Sequence, residues 1–567
     1  MSDLILKTLE TRELKLNTMQ LRGFYGKKMR RGSGGGSSGD GFPQLPGDVT
    51  RWHFGGLTNE MMAAMDDPRL EDADGKGRFL SFKNFAWKEG SGISDVYPGA
   101  LVFDGVDDYG ICENFPILTK EKGYTVVVLR QWITIPNDNL FYGLMTNGNS
   151  RTDGAFIFED FNRDSKSSFS FGGYTTVESG TLSMPFTYQT STSYNGKAIN
   201  IGSLEKGVDI FYVGRMGSRS YYVNAAIWEI CILDHDATEE ELQKIQYYYK
   251  QEYPWLFPDQ AWTVTGKTNE DTDRATIANI TGNGNNLVLS NFGFAEGSGY
   301  GLYAYNFNSF SLRDNVVKPT DVKKDSFRMI GTGNSNNVLI LFNESNSANW
   351  KIRVTGMKEG DNLIVGNANK SGDYFTITKD GIYTFQKQYE ASSTNGVWYN
   401  SAQETDVLVE QIPEYEGYLV TDGVDDRVVS SSFTLNKDWT IVGNWKMLQP
   451  EANKLSGIVK QNSLFIYNHV DGLNISINDA WNFFKLKDIR SVNAICSDGR
   501  IYLNDWTEII DSKQQTVNES VGTLVIGILG NVYTSLAFKN LGFYNNQILS
   551  KDDCIKAYNY LQTLKAK

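Results

Sequence analysis

Residues 101–110 read LVFDGVDDYG, and residues 419–428 read LVTDGVDDRV. In each, an apolar strand runs into an Asp-Gly pair, where glycine supplies a positive φ and the aspartate bonds nearby backbone amides. An acidic turn written twice is either a site used twice or a fold used twice, and the flanking sequence decides between them. GLTNE at 56–60 answers GKTNE at 266–270, and NFAWKEGSG at 84–92 answers NFGFAEGSG at 291–299, so that Asn84 matches Asn291 at an offset of 207. Tyr97, which opens YPGALVFDGVDD, matches Tyr415, which opens YEGYLVTDGVDD, at an offset of 318. The difference of 111 residues is an insertion in the second copy between Gly299 and Tyr415. Beyond it the copies stay parallel: YTVVVLRQW (124–132) answers WTIVGNWKM (439–447), and VGRMG (213–217) answers IGILG (526–530). The turn repeats because the fold repeats.

The paired stretches alternate as strands buried on one face would. Each copy ends in an apolar strand and a short helix, and the helices open with capping-box spacing, Thr238 with Glu241 and Ser550 with Asp553. Leu242, Ile245 and Tyr249 share one face of the first helix, and Ile555, Tyr558 and Leu561 are assigned to the packed face of the second. The insertion reads as a β domain of its own, from NNVLILF, WKIRVTGM, DNLIVG and YFTITKDGIYTF, with Asp380-Gly381 as a hairpin turn.

The whole chain of 567 residues is too long for a single core. Its 54 basic and 67 acidic residues leave a net charge of −13, which repels a phosphate backbone and excludes nucleic acid as a partner of the body. Cys112, Cys231, Cys496 and Cys554, and His53, His235 and His469, are scattered without metal-ligand or disulfide-framework spacing, so the cysteines are expected to be free and mostly buried. Charges interrupt every apolar run near the N-terminus, and nothing later approaches the length of a membrane span, so neither a signal-peptide core nor a spanning helix is expected. With 55 Gly, 31 Phe, 30 Tyr and only 12 Pro, composition favours β structure.

Residues 1–31 carry eight Lys and Arg against three acidic residues, and GSGGGSSGDG at 32–41 follows as a flexible tether. The domains are therefore drawn as a basic arm and tether (1–47), a first sandwich (48–258), a second sandwich (259–299 with 415–567) and an inserted small β-sandwich (300–414).

Strands ending in FDGVDDYG and TDGVDDRV, the late VGRMG and IGILG, and the closing AAIWEICILDHDATEEELQKI resemble concanavalin-like, laminin-G-type jelly rolls. That resemblance implies a mainly β fold of two laminin-G-like sandwiches with an embedded small sandwich. The full layout, with the LRGFYGKKMRR arm (21–31) and the tether, is similar to virion appendage proteins of phages infecting gut Bacteroidetes, crAss-like phages among them. The similarity implies a fibre or surface decoration made in the host cytoplasm. Its arm, through Arg22, Lys27, Lys28, Arg30 and Arg31, would hold other virion proteins; its sandwiches would meet host-surface glycans; and it would be a homo-oligomer, with a trimer expected.

Three chemistries are weighed against that layout. The repeated turn is read first as a structural corner, with calcium as the alternative: laminin-G-like sandwiches often bind it, and Asp104, Asp107, Asp108 and their counterparts Asp422, Asp425, Asp426 offer hard oxygens, although without the spacing of an EF-hand loop. Catalysis is not expected. In ETDVLVE, Glu404 and Asp406 share a strand face but Leu408 follows them, which breaks the carboxylate alternation of sandwich glycosidases, and the Gly-rich 32–41 lacks the ending of a phosphate loop. Tyr221 and Tyr222 are the candidates for stacking against sugar rings. The rival functions are a capsule- or glycan-degrading virion enzyme and a bacterial surface glycan-binding protein.

Overall fold

The computed structural model describes residues 41–566 apart from the segments 135–141, 150–152, 162–166, 169–184, 201–203, 295–296, 313–318, 334–336, 342–349, 368–373, 386–394, 449–455, 462–463, 470–471, 478–479, 485–491, 511–518 and 530–531 and the single residues 205, 304, 310 and 402. The basic arm with Arg22, Lys27, Lys28, Arg30 and Arg31 lies outside the described residues. The chain divides into two units between Phe257 and Pro258. It is mainly β, and every strand pairing among the described residues, isolated bridges included, is antiparallel.

In the first unit one sheet runs Lys197–Ala198, Ser193–Tyr194, Phe186–Thr190, Thr125–Thr134, Asn224–Leu233, Leu101–Asp104 and Gly92–Ile93, with Val49–His53 also paired to Asn224–Leu233. The facing sheet runs Ser167–Ser168, Ile157–Phe161, Tyr142–Thr146, Phe211–Val213, Tyr109–Cys112, Phe79–Lys83 and Arg69–Glu71. Val126, Val128 and Ile227 from the first meet Leu80, Leu144, Phe158 and Phe211 from the second in one apolar core, as alternation along each strand requires.

The strand of YTVVVLRQW departs from expectation. All of Thr125–Trp132 is buried, not one face of it. The cause is the helix Glu239–Glu252, which covers the outer face: its Tyr249 ring packs on Phe186 at 6.1 Å, and Tyr248 receives a hydrogen bond from Arg51 on the sheet. Val127 and Leu129 are therefore sealed beneath it while Val126 and Val128 fill the inner core.

The second unit repeats this plan. One sheet runs Gly299–Leu302, Glu414–Val420, Leu536–Asn545, Trp439–Met447, Val492–Cys496, Arg500–Leu503 and Glu508–Ile510, with Gln260–Thr263 beside Leu536–Asn545. It packs on Thr276–Ile277, Leu287–Ser290, Arg427–Leu435, Ser520–Ile526, Ser456–Gln461, Leu464–His469, Gly472–Ile477 and Ala480–Phe484. Even an irregularity is copied. Ile227 and Glu229 face Arg130 and Leu129 with Trp228 extra, and Phe538 and Asn540 face Trp445 and Asn444 with Lys539 extra.

Between Leu302 and Glu414 lies a third sandwich, a five-stranded sheet from Ser311–Leu312 to Tyr374–Ile377 facing a four-stranded sheet that includes Trp350–Thr355 and Glu404–Ile412. Here the hairpin expected at Asp380-Gly381 is corrected. Tyr374–Ile377 pairs with Asn362–Asn367 in one sheet, whereas Gly381–Phe385 pairs with Trp350–Thr355 in the other. The turn carries the chain across the sandwich, held by Asp380, which accepts the Met357 amide at 2.7 Å.

The helix caps also differ in detail. Thr238 and Glu241 form the full reciprocal box. Asp553, one methylene shorter, instead accepts from the Ser550 hydroxyl at 2.7 Å while Ser550 caps the Asp553 amide. The buried face of the second helix is Cys554, Ala557, Tyr560 and Leu561, with Ile555 and Tyr558 only half-buried, because the helix lies rotated by one position from the expected stripe.

Candidate functional site

Each acidic turn is the centre of a hydrogen-bonded corner that gathers the two matched motifs preceding it in its copy, GLTNE with NFAWKEGSG in the first and GKTNE with NFGFAEGSG in the second. In the first, Asp104 Oδ1 accepts the amides of Val106 (2.8 Å) and Asp107 (3.3 Å), Gly105 takes φ +78°, and the two Asp108 oxygens accept the Asp104 amide and the Ser91 hydroxyl, both at 3.1 Å. Asn84 donates to the Asp107 carbonyl (2.9 Å), and Asn59 of GLTNE brackets Ile93 through its backbone N–H and carbonyl. In the second, Asp422, Gly423 (φ +78°), Asp426, Ser298, Asn291 and Asn269 make the same bonds. The candidate metal residues Asp104, Asp107, Asp108 and Asp422, Asp425, Asp426 are thus brought together, with ligand atoms within 4.8 Å of one another in each triad. Three of the six oxygens in each triad already hold amide or hydroxyl protons, and a calcium ion takes six to eight oxygens. Burial pushes the carboxyls of Asp108 and Asp426 up to about 7, against the hydrogen bonds they accept and with help from the neighbouring aspartates. Asp104 and Asp108, with Asp422 and Asp426, thus hold the corner, while the Asp107 and Asp425 carboxylates stand at its exposed rim.

What distinguishes the copies is buried charge. Across the inner core of the first sandwich, Arg130 donates to Glu159 from Nε (2.8 Å) and Nη2, and Glu159 also accepts from Trp132 Nε1 (2.8 Å) and Tyr194. Arg130 and Glu159 are fully buried, and Glu159 sits at φ +52° in an irregular step of its strand. Burial by itself lowers the Arg130 pKa, but Glu159 and Tyr194 more than reverse this and raise it. On the outer face, under the helix, Glu229 accepts from Arg51 (2.9 Å), bonds His53 (2.8 Å) and accepts from Tyr253 (2.9 Å). The matching register positions of the second copy hold Trp445 for Arg130, Ala261 for Arg51, Thr263 for His53 and Asn540 for Glu229.

The first of these pairs lies behind a groove of about 370 Å³ at the sheet edge, between the helix Glu239–Glu252 and the hairpin of strands Phe186–Thr190 and Ser193–Tyr194. Its floor is aromatic and apolar: Phe186 and Tyr188 point outward from their strand, and Leu242 and Phe257 close it. Tyr194 joins the floor to the Arg130–Glu159 pair behind it. Amides from Asn195, Gln243 and Gln246 line its rim, with, among the described residues, one cation, Lys197, and one anion, Glu239. Asn195 and Gly196 form a tight turn with φ +46° and +77°, and the Asn195 side chain receives the Tyr188 amide at 2.9 Å, which fixes the rim against the floor. Burial, and then Glu239, push the Tyr188 phenol above its ordinary value, so it stays neutral at physiological pH.

In the second copy the same place is filled by the chain itself. Ala494 stands in the register of Tyr188, Tyr502 opposite it, and Tyr558 on the helix where the first copy has Gln246. Trp506, at φ +63°, packs edge-on to Tyr558 with ring centroids 5.6 Å apart and lies 6.3 Å from Tyr502.

The groove was not among the sequence candidates, although SYNGKA at 193–198 carried a legible hairpin signal in Asn195-Gly196. Tyr221 and Tyr222 lie elsewhere, half-buried: Tyr221 is 5.9 Å from the Tyr142 ring and Tyr222 is 6.3 Å from Tyr109, over which Arg215 stacks at 3.6 Å. Glu404 and Asp406 do share an exposed strand face, and Asp406 is paired with Arg328 at 2.7 Å. All four cysteines are buried thiols.

These sheets and cores define a class, a tandem β-sandwich protein with an inserted third sandwich. No protein-family model matches the chain, and no curated protein matches it. Among solved structures, it is similar to the Trypanosoma rangeli sialidase at 11% identity, with 34% of this chain and 32% of that one covered and a TM-score of 0.24. A botulinum neurotoxin serotype D/C binding domain matches at 8% identity over 84% of this chain and 96% of that one (TM-score 0.24), and the Ca²⁺/Man2-bound exoplasmic domain of VIP36 at 12% over 24% and 80% (TM-score 0.16). The chain spans about a third of the length of the sialidase structures it matches. No helix among the described residues is long and apolar enough to cross a membrane.

Proposed function

We propose that this chain is a non-enzymatic virion surface appendage, held on the particle by its basic arm and binding host-surface glycans through its first sandwich. The observation that carries the reading is the divergence of the copies at one place: identical corners fix the same fold twice, while the helix-side groove is open in the first copy and plugged by Trp506 and Tyr558 in the second. A fold kept for shape alone has no reason to hold an open aromatic groove against a buried ion pair, Arg130 with Glu159 behind Tyr194, whereas a binding surface does. Functional roles commonly reside in such edge features rather than in the shared frame. Repeated copies on a particle turn weak sugar contacts into avidity.

The test is antibody-gold labelling against residues 415–565 on purified particles and on uninfected host cells, alongside binding and turnover of host polysaccharide by the purified chain. Labelling at a defined place on the particle, with polysaccharide bound and its length unchanged, is the expected result. Labelling of uninfected cells with clean particles assigns the protein to the bacterial surface instead, and shortening of the polysaccharide makes it an enzyme.

A further inference from the structure

Resting on the glycan-binding reading above, we infer that the groove between the helix Glu239–Glu252 and the Phe186–Tyr194 hairpin binds a neutral pyranose, with one ring stacked on Tyr188 and its hydroxyls held by Asn195, Gln243 and Gln246.

Three observations lead there. The second copy shows what shape the place accepts, since a flat ring, Trp506, occupies its counterpart against Tyr558 and Tyr502. In the first copy the floor offers the complementary surface, an aromatic face on Tyr188 beside Phe186, and sugar rings present apolar C–H faces to such a platform. The rim then sets polarity. Asn195 Oδ1 holds the Tyr188 amide and Gln243 Nε2 donates to Glu239 at 3.1 Å, which leaves the Asn195 amide N–H groups, the Gln243 oxygen and both ends of Gln246 to meet vicinal hydroxyls, while Lys197 and Glu239 balance in charge and, among the described residues, no second cation lines the groove to hold a carboxylate or sulfate. An acidic sugar would meet Glu239 and gain from Lys197 alone. The volume of about 370 Å³ lies at the small end of ligand pockets, about 300–1,000 Å³, so a short oligosaccharide segment fits and a folded protein partner does not.

The experiment screens the full chain against an array of neutral oligosaccharides (gluco-, manno- and galacto-oligomers and their N-acetyl forms) and acidic ones (uronate-containing and sialylated). Hits are then titrated by calorimetry with wild type, Tyr188→Ala and Gln246→Tyr. Tyr188 and Gln246 are only half-buried, so both variants should keep the wild-type melting profile, and Gln246→Tyr carries over the residue that plugs the second copy. The expected result is a neutral hit whose affinity falls by about tenfold or more in both variants. A hit confined to acidic members and lost in both variants overturns the ligand class while keeping the site. Neutral binding that both variants leave unchanged overturns the site and leaves the glycan-binding reading standing. Absence of any glycan binding by wild type removes both.

Discussion

Replacing Arg130 by methionine leaves Glu159 as a carboxylate with no countercharge in a fully buried setting. Of the four donors that reach it, two come from Arg130, and only Trp132 Nε1 and the Tyr194 hydroxyl remain. Breaking a buried pair from one side costs about 3–5 kcal/mol, because a charge is stranded rather than a bond merely lost. For a unit of this size each kcal/mol lowers the melting temperature by about 2–4 °C, so the expected loss is roughly 6–20 °C. Glu159→Gln should cost a similar amount by stranding Arg130. Combining them as Arg130→Met with Glu159→Gln removes both charges and leaves Gln to accept from Trp132 and Tyr194, so the double variant should recover at least about 2 kcal/mol relative to the sum of the singles. The second copy carries neutral Trp445 at the Arg130 position, fully packed, which is the fold's own precedent for an uncharged core there. Urea denaturation of the full chain, with hydrogen exchange of peptides from residues 48–257 to locate the change, measures the cycle. Single variants that each lose less than about 1 kcal/mol, or a double variant whose loss equals the sum, would refute the account of Arg130 and Glu159 as one coupled unit.

The corners make a pH prediction with a definite sign. Asp108 and Asp426 hold their protons in the folded state up to about pH 7 but release them near pH 4 when unfolded, so the folded state binds more protons in that window. Their contribution to stability is therefore full below pH 4 and lost as pH rises to 7; melting of wild type minus the Asp108→Asn/Asp426→Asn variant across pH 4–8 should fall along that slope, and a difference that rises with pH would contradict it. Millimolar calcium is expected to leave the melting temperature equal to that in EDTA, since half the oxygens of each triad are already engaged; a rise abolished by Asp107→Ala with Asp425→Ala would place the ion at the corners. Thr238→Ala should cost about 1 kcal/mol, near the middle of the range for N-cap losses, and more than Ser550→Ala, because only Thr238 sits in a reciprocal box; equal losses in urea melts would count against the cap geometry.

The repeat was legible in the sequence because it depends on residues with little freedom of choice. Gly105 and Gly423 need positive φ, and Asn84 and Asn291, both at φ +69°, combine an αL backbone with a bond to the Asp-Asp step, so these positions hold their identity while others drift. The insertion was legible for the same reason, as a jump in offset between fixed points. Local turn chemistry could not say which sheet receives the strand after Asp380-Gly381, and that hairpin was misread. Burial of both faces of Thr125–Trp132 was equally hidden, since the helix that covers the outer face lies more than a hundred residues away. The groove escaped because its floor and rim come from residues 185–197 and 239–257, which only the sheet order brings together; Asn195-Gly196 marked the turn but not what the turn would face. The arm with Arg22 through Arg31 lies outside the described residues.

The third sandwich leaves and re-enters the second through Leu302 and Glu414, which face each other on adjacent strands, about 5 Å apart by strand spacing. In the first copy the matching strands, Gly92–Ile93 and Leu101–Asp104, are joined by the short run 94–100. One frame thus closes equally well around seven residues or around a whole additional domain. A socket of this kind lets a lineage exchange what it displays without redesigning what displays it, and it marks residues 303–413 as the segment where a foreign domain could be grafted into the chain, or the native one trimmed to a turn, with the host sandwich intact.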